Sequence, residues 1–241
     1  MEPRLNLLQN SENRLLATLS AEEYNALQPH LEMVENSLRE EVQTRNQAFE
    51  YVYFPCTSVF SVIATMRSGA AVEVGTIGSE GFIGIELLMG GEYSIETTIC
   101  QIVGKSLRMP VADFKRAIDG NTPLRRIAQR FIQAYLSLVS QSVACNRLHT
   151  IDERFARWIL MTHDRVIGNE FYLTQEFLAI MLGVHRPSVT VIAHTFQQSG
   201  LIRYTRGKFT ILDRKGMEEA SCECYSAVRL QFERFLGAFN K

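Results

Sequence analysis

The chain has no run of about eighteen apolar residues, the length a helix needs to cross a bilayer. It also lacks a basic-then-apolar leader at its N-terminus. Neither a membrane span nor a secretory signal is therefore expected, and the expected compartment is the cytoplasm. Cysteine is sparse and odd in number: Cys56, Cys100, Cys145, Cys222 and Cys224. Such a scattered set argues against a disulfide framework and fits a reducing compartment. Cys222-Glu223-Cys224 lacks the spacing of a CxxC clamp, and no second ligand pair is placed to close a tetrahedral site. No metal is expected. No Ser/His/Asp order, phosphate loop or paired-acid motif occurs. The five histidines (His30, His149, His163, His185, His194) show no ligand spacing, and His149 reads as a capping or packing residue. An enzyme is not expected. Internal repeats and low-complexity segments are absent as well.

Excess charge is also missing, since 25 Lys and Arg meet 26 Asp and Glu for a net charge of −1. The balance at first argues against a nucleic-acid partner, but it hides an asymmetry. Residues 1–146 hold 12 basic against 16 acidic residues, whereas residues 147–215 hold 10 against 6. Positive charge thus gathers in the C-terminal third, where phosphate neutralisation would need it. The excess is modest, which suits a dimer that pools two such patches.

At 241 residues the chain suits one large domain or two modest ones. Residues 12–36 predict a helix from Leu15, Leu16, Leu19, Tyr24, Leu27, Leu31 and Val34 at helical spacing. From about Ser37 to Pro110 the pattern changes to short segments rich in Val, Ile, Tyr and Phe. Phe49–Phe54, Val59–Met66 and Ala71–Ile77, with Gly turns between them, predict a small β-barrel or roll. From Pro123 the helical period returns. Leu124, Ala128, Phe131, Tyr135, Leu138, Ser142 and Cys145 step by four and three, which is a heptad seam. Ile127, Ile132, Leu136 and Val139 widen the face. One side is expected to pack on the barrel while the seam meets a partner; a core helix within a monomer is the alternative.

Asp152–Asp164 predicts a further helix, followed by the most informative stretch, Leu173–Ile202. Thr174 is a plausible N-cap for a helix carrying Phe177, Leu178 and Met181 or Leu182. Gly183 can take a left-handed turn, and Val184 plugs the space behind it. A second helix, about residues 186–199, starts with Pro187 in its first turn. Val189, Ile192, Ala193 and Phe196 form its inner face, while His185, Arg186, Ser188 and Thr190 are left outside. Two short helices around a glycine are the layout of a helix-turn-helix that enters a major groove. Leu201–Tyr204 and Lys208–Leu212 around Arg206-Gly207 predict a hairpin wing, and Lys215–Phe239 a terminal helix.

A β-roll, a seam helix and a winged helix-turn-helix, in that order, resemble transcription regulators of the Crp–Fnr type (cyclic AMP receptor protein and fumarate–nitrate regulator). The resemblance covers roughly residues 11–213 and rests on Gly81-Phe82-Ile83-Gly84, Leu182-Gly183-Val184 with Arg186, and Ser199-Gly200-Leu201-Ile202. It implies an α+β chain: a cyclic-nucleotide-binding-like sensor domain (1–121), a dimerisation helix (122–147) and a DNA-binding domain with a C-terminal helix (148–241). It implies a homodimer on double-stranded DNA, with RNA polymerase as a further partner and no membrane. Arg186 matches the position from which the family reads a base or phosphate. Thr174, Gln175, His185, Ser188, Thr190, Arg203, Arg206 and Lys208 are the other implied DNA contacts. The alternative is a ligand-binding module whose helix-turn-helix mediates protein contacts.

Departures from the family pattern are equally informative. The effector pocket implied by the resemblance falls at Gly84, Ile85, Glu86, Ile95 and Glu96. Members that bind cyclic nucleotides have an acidic residue just after the Gly84 position and an Arg-Ser pair some ten residues on. Here Ile85 and Ile95-Glu96 stand in those places, and no Arg follows before Arg108. A carboxylate where a phosphate should sit is repulsive. Cyclic AMP bound in the family's usual manner is therefore not expected, and no cofactor is assigned. No N-terminal cysteine cluster like that of the iron–sulfur sensors is present. Pro187 and Val191 depart from the family's usual recognition helix, so a different operator is expected.

Overall fold

The computed structural model describes residues 13–236. The ends of the expected helices at residue 12 and beyond residue 236 fall outside them. The chain enters through α1 (Ala21–Leu27), closed by a capping box in which Ser20 and Glu23 each accept from the other's backbone N–H. The helical expectation for residues 12–36 ends there. Gln28–His30 forms one 3-10 turn around Pro29, and β1 (Glu32–Asn36) follows. Leu31 and Val34 keep a helical period, but a proline ring cannot sit in a helix interior without removing a hydrogen bond.

Six more strands build the roll: β2 (Glu41–Gln43), β3 (Tyr51–Pro55), β4 (Val59–Thr65), β5 (Ala71–Ile77), β6 (Thr97–Ile102) and β7 (Gly104–Pro110). They pair antiparallel in two sheets, ordered β1-β7-β3 and β2-β6-β4-β5. Val52 and Phe54 of β3 point inward and are fully buried, whereas Tyr51 and Tyr53, which alternate with them, are only half-buried. That alternation is what a sheet with one face on a core requires. The single turn α2 (Ile85–Leu88) and then α3 (Val111–Ala117) lead to the long helix α4 (Pro123–Leu148), whose Thr122 N-cap accepts from Arg125 N–H.

Helix α4 packs on the roll with the face expected to meet a partner. Leu124, Ala128, Phe131, Tyr135 and Leu138 are all buried within their own chain. The Phe131 ring lies 5.4 Å from that of Phe82 and 6.4 Å from that of Phe232. Ser142 donates to Leu138 C=O and accepts from Arg157. The seam Leu124, Ala128, Phe131, Tyr135, Leu138 and Ser142 is therefore a core seam. The exposed stripe of α4 runs through Gln129, Gln133, Leu136, Ser140, Val143 and Arg147, also spaced by four and three. The close approach depends on glycine: a Cβ on Gly81 would stand 2.2 Å from the Phe131 ring.

The remaining elements are α5 (Ile151–His163), β8 (Glu170–Tyr172), α6 (Gln175–Leu182), α7 (Arg186–Gln198), β9 (Ile202–Thr205), β10 (Lys208–Ile211), α8 (Arg214–Ala220) and α9 (Cys224–Leu236). The expected terminal helix is thus two helices. Ser221 is extended (φ −86°, ψ 159°) and ends α8, and α9 lays Phe232 against Phe131 of α4. This covering helix explains why the wide apolar face of α4 is used up within one chain.

Among the described residues, roll and C-terminal domain share one hydrophobic core and are also joined by polar ties. Arg165 Nε donates to Glu80 Oε1 at 2.7 Å with both side chains buried. Gln101 donates to Thr162, and Trp158 Nε1 donates to Glu73 Oε1 at 2.8 Å. Glu73 also accepts from Thr76, while its Oε2 has no hydrogen-bond partner. Burial pushes the Glu73 carboxyl above its usual range, against the hydrogen bonds from Thr76 and Trp158. Between the ordinary carboxylate pKa and the raised one, the folded chain therefore holds a proton that the unfolded chain releases. The resulting stabilisation is complete below the ordinary carboxylate pKa and is lost as pH rises through the raised one. Glu73→Gln should gain stability relative to the parent at about pH 8 more than at about pH 5 in urea denaturation. An equal change at both pH values would contradict a buried proton.

Candidate nucleic-acid interface and effector cavity

Local sequence chemistry sets the reader. The Thr174 hydroxyl accepts from Phe177 N–H at 3.1 Å and starts α6. Gly183 ends it in the left-handed conformation (φ 63°, ψ 40°). Helix α7 then leaves at 108° to α6, within the crossing range of helix-turn-helix pairs. Val189, Ile192, Ala193 and Phe196 are buried beneath α7, while His185, Arg186, Thr190, Val191, His194 and Gln198 are exposed. The β9–β10 turn has positive φ at both Arg206 (52°) and Gly207 (83°), the geometry that suits a two-residue hairpin.

The structure gathers Thr174, Gln175, Arg186 and Arg206 around one open cleft beside Tyr204. Thr190 joins them, donating to Gln175 Oε1 at 2.9 Å. Arg203 is exposed on the wing. Lys208 is ion-paired with Glu170 at 2.7 Å, a half-exposed contact of little stability that a phosphate could replace. His185 precedes α7 as its N-cap residue without a side-chain cap bond. Ser188 stands apart, in a groove with Asp152, Val191 and Thr195 on the other flank of α7. Sequence reasoning missed two neighbours. His194 continues the exposed step Arg186, Thr190, His194, a signal present in the spacing. Arg39, in the turn between β1 and β2 with φ 65°, borders the same cleft, and no local pattern announces it.

The positive charge of residues 147–215 is less outward than its sequence position suggests. Arg165 is held by Glu80, and Arg214 by Asp164 and Glu218. Arg157 donates to Ser142 and Arg154 to Leu182 C=O. Four of the ten basic residues therefore serve the interior or its edge. Arg186, Arg203, Arg206 and Lys208 remain at the reader.

Gly84, Ile85, Glu86, Ile95 and Glu96 all border one cavity of about 280 Å³ between the roll and α4. Tyr135, Leu136 and Val139 form its α4 wall. Its lining is mostly apolar, with two carboxylates and no basic side chain. Glu86 accepts from Ile95 N–H at 3.2 Å, and Glu96 Oε2 has no hydrogen-bond partner. Desolvation holds the Glu96 carboxyl above its usual range, opposed by Arg45 and reinforced by Glu86. An anionic phosphate would meet repulsion from both carboxylates and no basic side chain in the lining.

One expectation is overturned outside these two sites. Cys222 and Cys224 are not without a second pair, because Cys145 and His149 converge on them at the end of α4. Among the described residues no single helix is long and apolar enough to cross a membrane.

Residues 153–220 match the Crp-like helix-turn-helix domain. No curated protein matches the chain in sequence. Among solved structures, a regulator assigned to the crp/fnr family from Eubacterium rectale is similar with a TM-score of 0.66 and 19% identity, over 86% of this chain and 96% of that one. FixK2 from Bradyrhizobium japonicum is similar with a TM-score of 0.69 and 14% identity, over 80% and 98%. A CRP/FNR-family transcriptional regulator from Thermus thermophilus gives 0.64 and 18%, over 79% and 98%. The chain thus carries a Crp-like helix-turn-helix domain within the fold shared by the Crp/Fnr-type transcription regulators.

Proposed function

We propose that the protein is a homodimeric, sequence-specific DNA-binding transcription regulator whose reader is α7 with its wing. One observation carries this reading: Arg186, Thr174, Gln175 and Arg206 share an exposed cleft at the N-terminal end of a recognition helix. Arginine there can make a bidentate contact to guanine, while the N-terminal end of α6 and the wing reach phosphates. Titration of labelled mixed-sequence duplex in rising salt tests it. A linear fall of log K with log salt is expected; no binding even at low salt would favour a helix-turn-helix used for protein contacts.

The dimer is assigned to the outward stripe of α4, centred on Leu136 (57% exposed) and Val143 (68% exposed). A second copy is the occupant that the heptad spacing and the two-fold symmetry of operators favour. Leu136→Glu with Val143→Glu should give folded monomers in sedimentation, whereas Phe131→Glu should unfold the chain. A persistent dimer in the first variant would place the interface elsewhere.

The cavity beside α4 is the proposed effector site. Its apolar walls and two carboxylates suit a neutral or cationic small molecule, not a cyclic nucleotide phosphate. Leu136 and Val139 belong to both the cavity wall and the flank of the proposed interface. A ligand there can bias how two α4 helices meet, and so how two readers are spaced.

A further inference from the structure

Four side chains of metal-ligating type meet where α4 ends and the C-terminal domain begins. Cys145 lies in the last turn of α4 and His149 is its C-cap. Cys222 comes from the break between α8 and α9, and Cys224 is the first residue of α9. The ligand atoms of all four lie within 4.8 Å of one another. Cys145 Sγ is 3.5 Å from Cys222 Sγ, and His149 Nδ1 is 3.5 Å from Cys224 Sγ. A tetrahedral zinc ion with Zn–S bonds of about 2.3 Å holds its sulfurs about 3.8 Å apart. The cluster is thus already close to that size.

Two further features point to an ion. The other nitrogen of His149, Nε2, is 3.1 Å from Glu223 Oε2. A carboxylate on the far nitrogen is the usual partner that orients a ligating histidine, and here it leaves Nδ1 directed at the thiols. Charge gives the second indication. Arg154 and Arg157 each have a buried Nε without a hydrogen-bond partner. Among the described residues neither is ion-paired with a carboxylate. Arg157 reaches Ser142, three residues before Cys145 on α4. A buried cation without an anion is costly. Three thiolates and a neutral imidazole around a divalent cation carry one net negative charge, which would offset one of these two cations.

We propose that Cys145, His149, Cys222 and Cys224 form a mononuclear Cys3His site for a borderline-soft divalent cation, zinc foremost. Thiolate and imidazole ligands favour zinc over calcium or magnesium. Four protein ligands leave no open position, so the ion is structural. Gln141 adds a side-chain N–H to Cys224 Sγ at 3.1 Å. The site staples α9 to the end of α4, at the junction of sensor and reader. It also accounts for the break at Ser221–Glu223, which turns both sulfurs inward.

The test uses the full-length chain purified under reducing conditions with zinc or cobalt supplied. Expected are one zinc per chain by elemental analysis, and in the cobalt form the thiolate charge-transfer and tetrahedral d–d bands. Cys222→Ser should abolish both signals. Glu223→Gln, at an exposed carboxylate outside the ligand set, should leave the chain folded and weaken zinc affinity about 10–100-fold. Less than a tenth of an equivalent of zinc in folded, reduced protein would overturn the proposal. So would cobalt spectra unchanged by Cys222→Ser, or a Cys145–Cys222 disulfide in the protein as isolated.

Discussion

Arg165→Met is expected to destabilise the folded chain by about 3–5 kcal/mol, because it takes from the buried Glu80 carboxylate its hydrogen-bonded cation and leaves only the charge of Arg14 acting on it. Few single changes here should cost more. Arg165 and Glu80 are 3% and 1% exposed, so water cannot replace the lost partner. Arg165 also donates to Met161 C=O and lies 5.6 Å over the Phe232 ring. Its loss therefore loosens roll, α5 and α9 together. Glu80 belongs to the Gly78–Gly81 turn of the roll, where it also accepts from Gly78 N–H. Denaturant midpoints for Arg165→Met, Glu80→Met and the double variant close a thermodynamic cycle. The double variant should recover a large part of the loss, since an uncompensated charge is gone. A single-variant cost below about 1 kcal/mol would mean that the pair is solvated and not an interdomain tie.

Arg186→Ala is expected to weaken specific DNA binding by about 1–3 kcal/mol, or roughly 5- to 150-fold, and to relax base preference at one position of the half-site. The chain should stay folded, because Arg186 is exposed and Pro187 still fixes the start of α7. Arg203→Ala provides the contrast. A phosphate contact carries no base identity, so its loss should weaken all sequences alike and reduce the salt slope by about one. Competition binding with single-base variants of a selected site separates the two. If Arg186→Ala leaves both affinity and base preference unchanged, Arg186 is not a base contact.

Much of the reader was legible because its signals are local. Thr174, Gly183, Pro187 and Arg206-Gly207 each act on the backbone within a turn of their own position. Strand β5 was likewise bounded at Ala71 and Ile77, as found. What failed was long-range. The period of α4 shows that Phe131 and Leu138 need an apolar partner, but not whether that partner is a second chain or α9 of the same one. The cysteine cluster joins residues 77 positions apart, beyond any spacing rule for a short motif. Charge counted along residues 147–215 could not separate Arg186, which faces outward, from Arg165, which faces Glu80. Gly84, Ile85, Glu86, Ile95 and Glu96 line one cavity, because Gly84 and its flanking residues set that corner locally. The mostly apolar walls come from other strands and from α4, and only the folded chain brings them together.

Two Crp-type readers held together through α4 should bind one two-fold DNA site, which selection of bound duplexes from a random pool by the full-length protein examines. An inverted repeat is predicted, with half-site centres about 34 Å, or one helical turn, apart. Enrichment of a lone half-site, or of nothing at low salt, would contradict it.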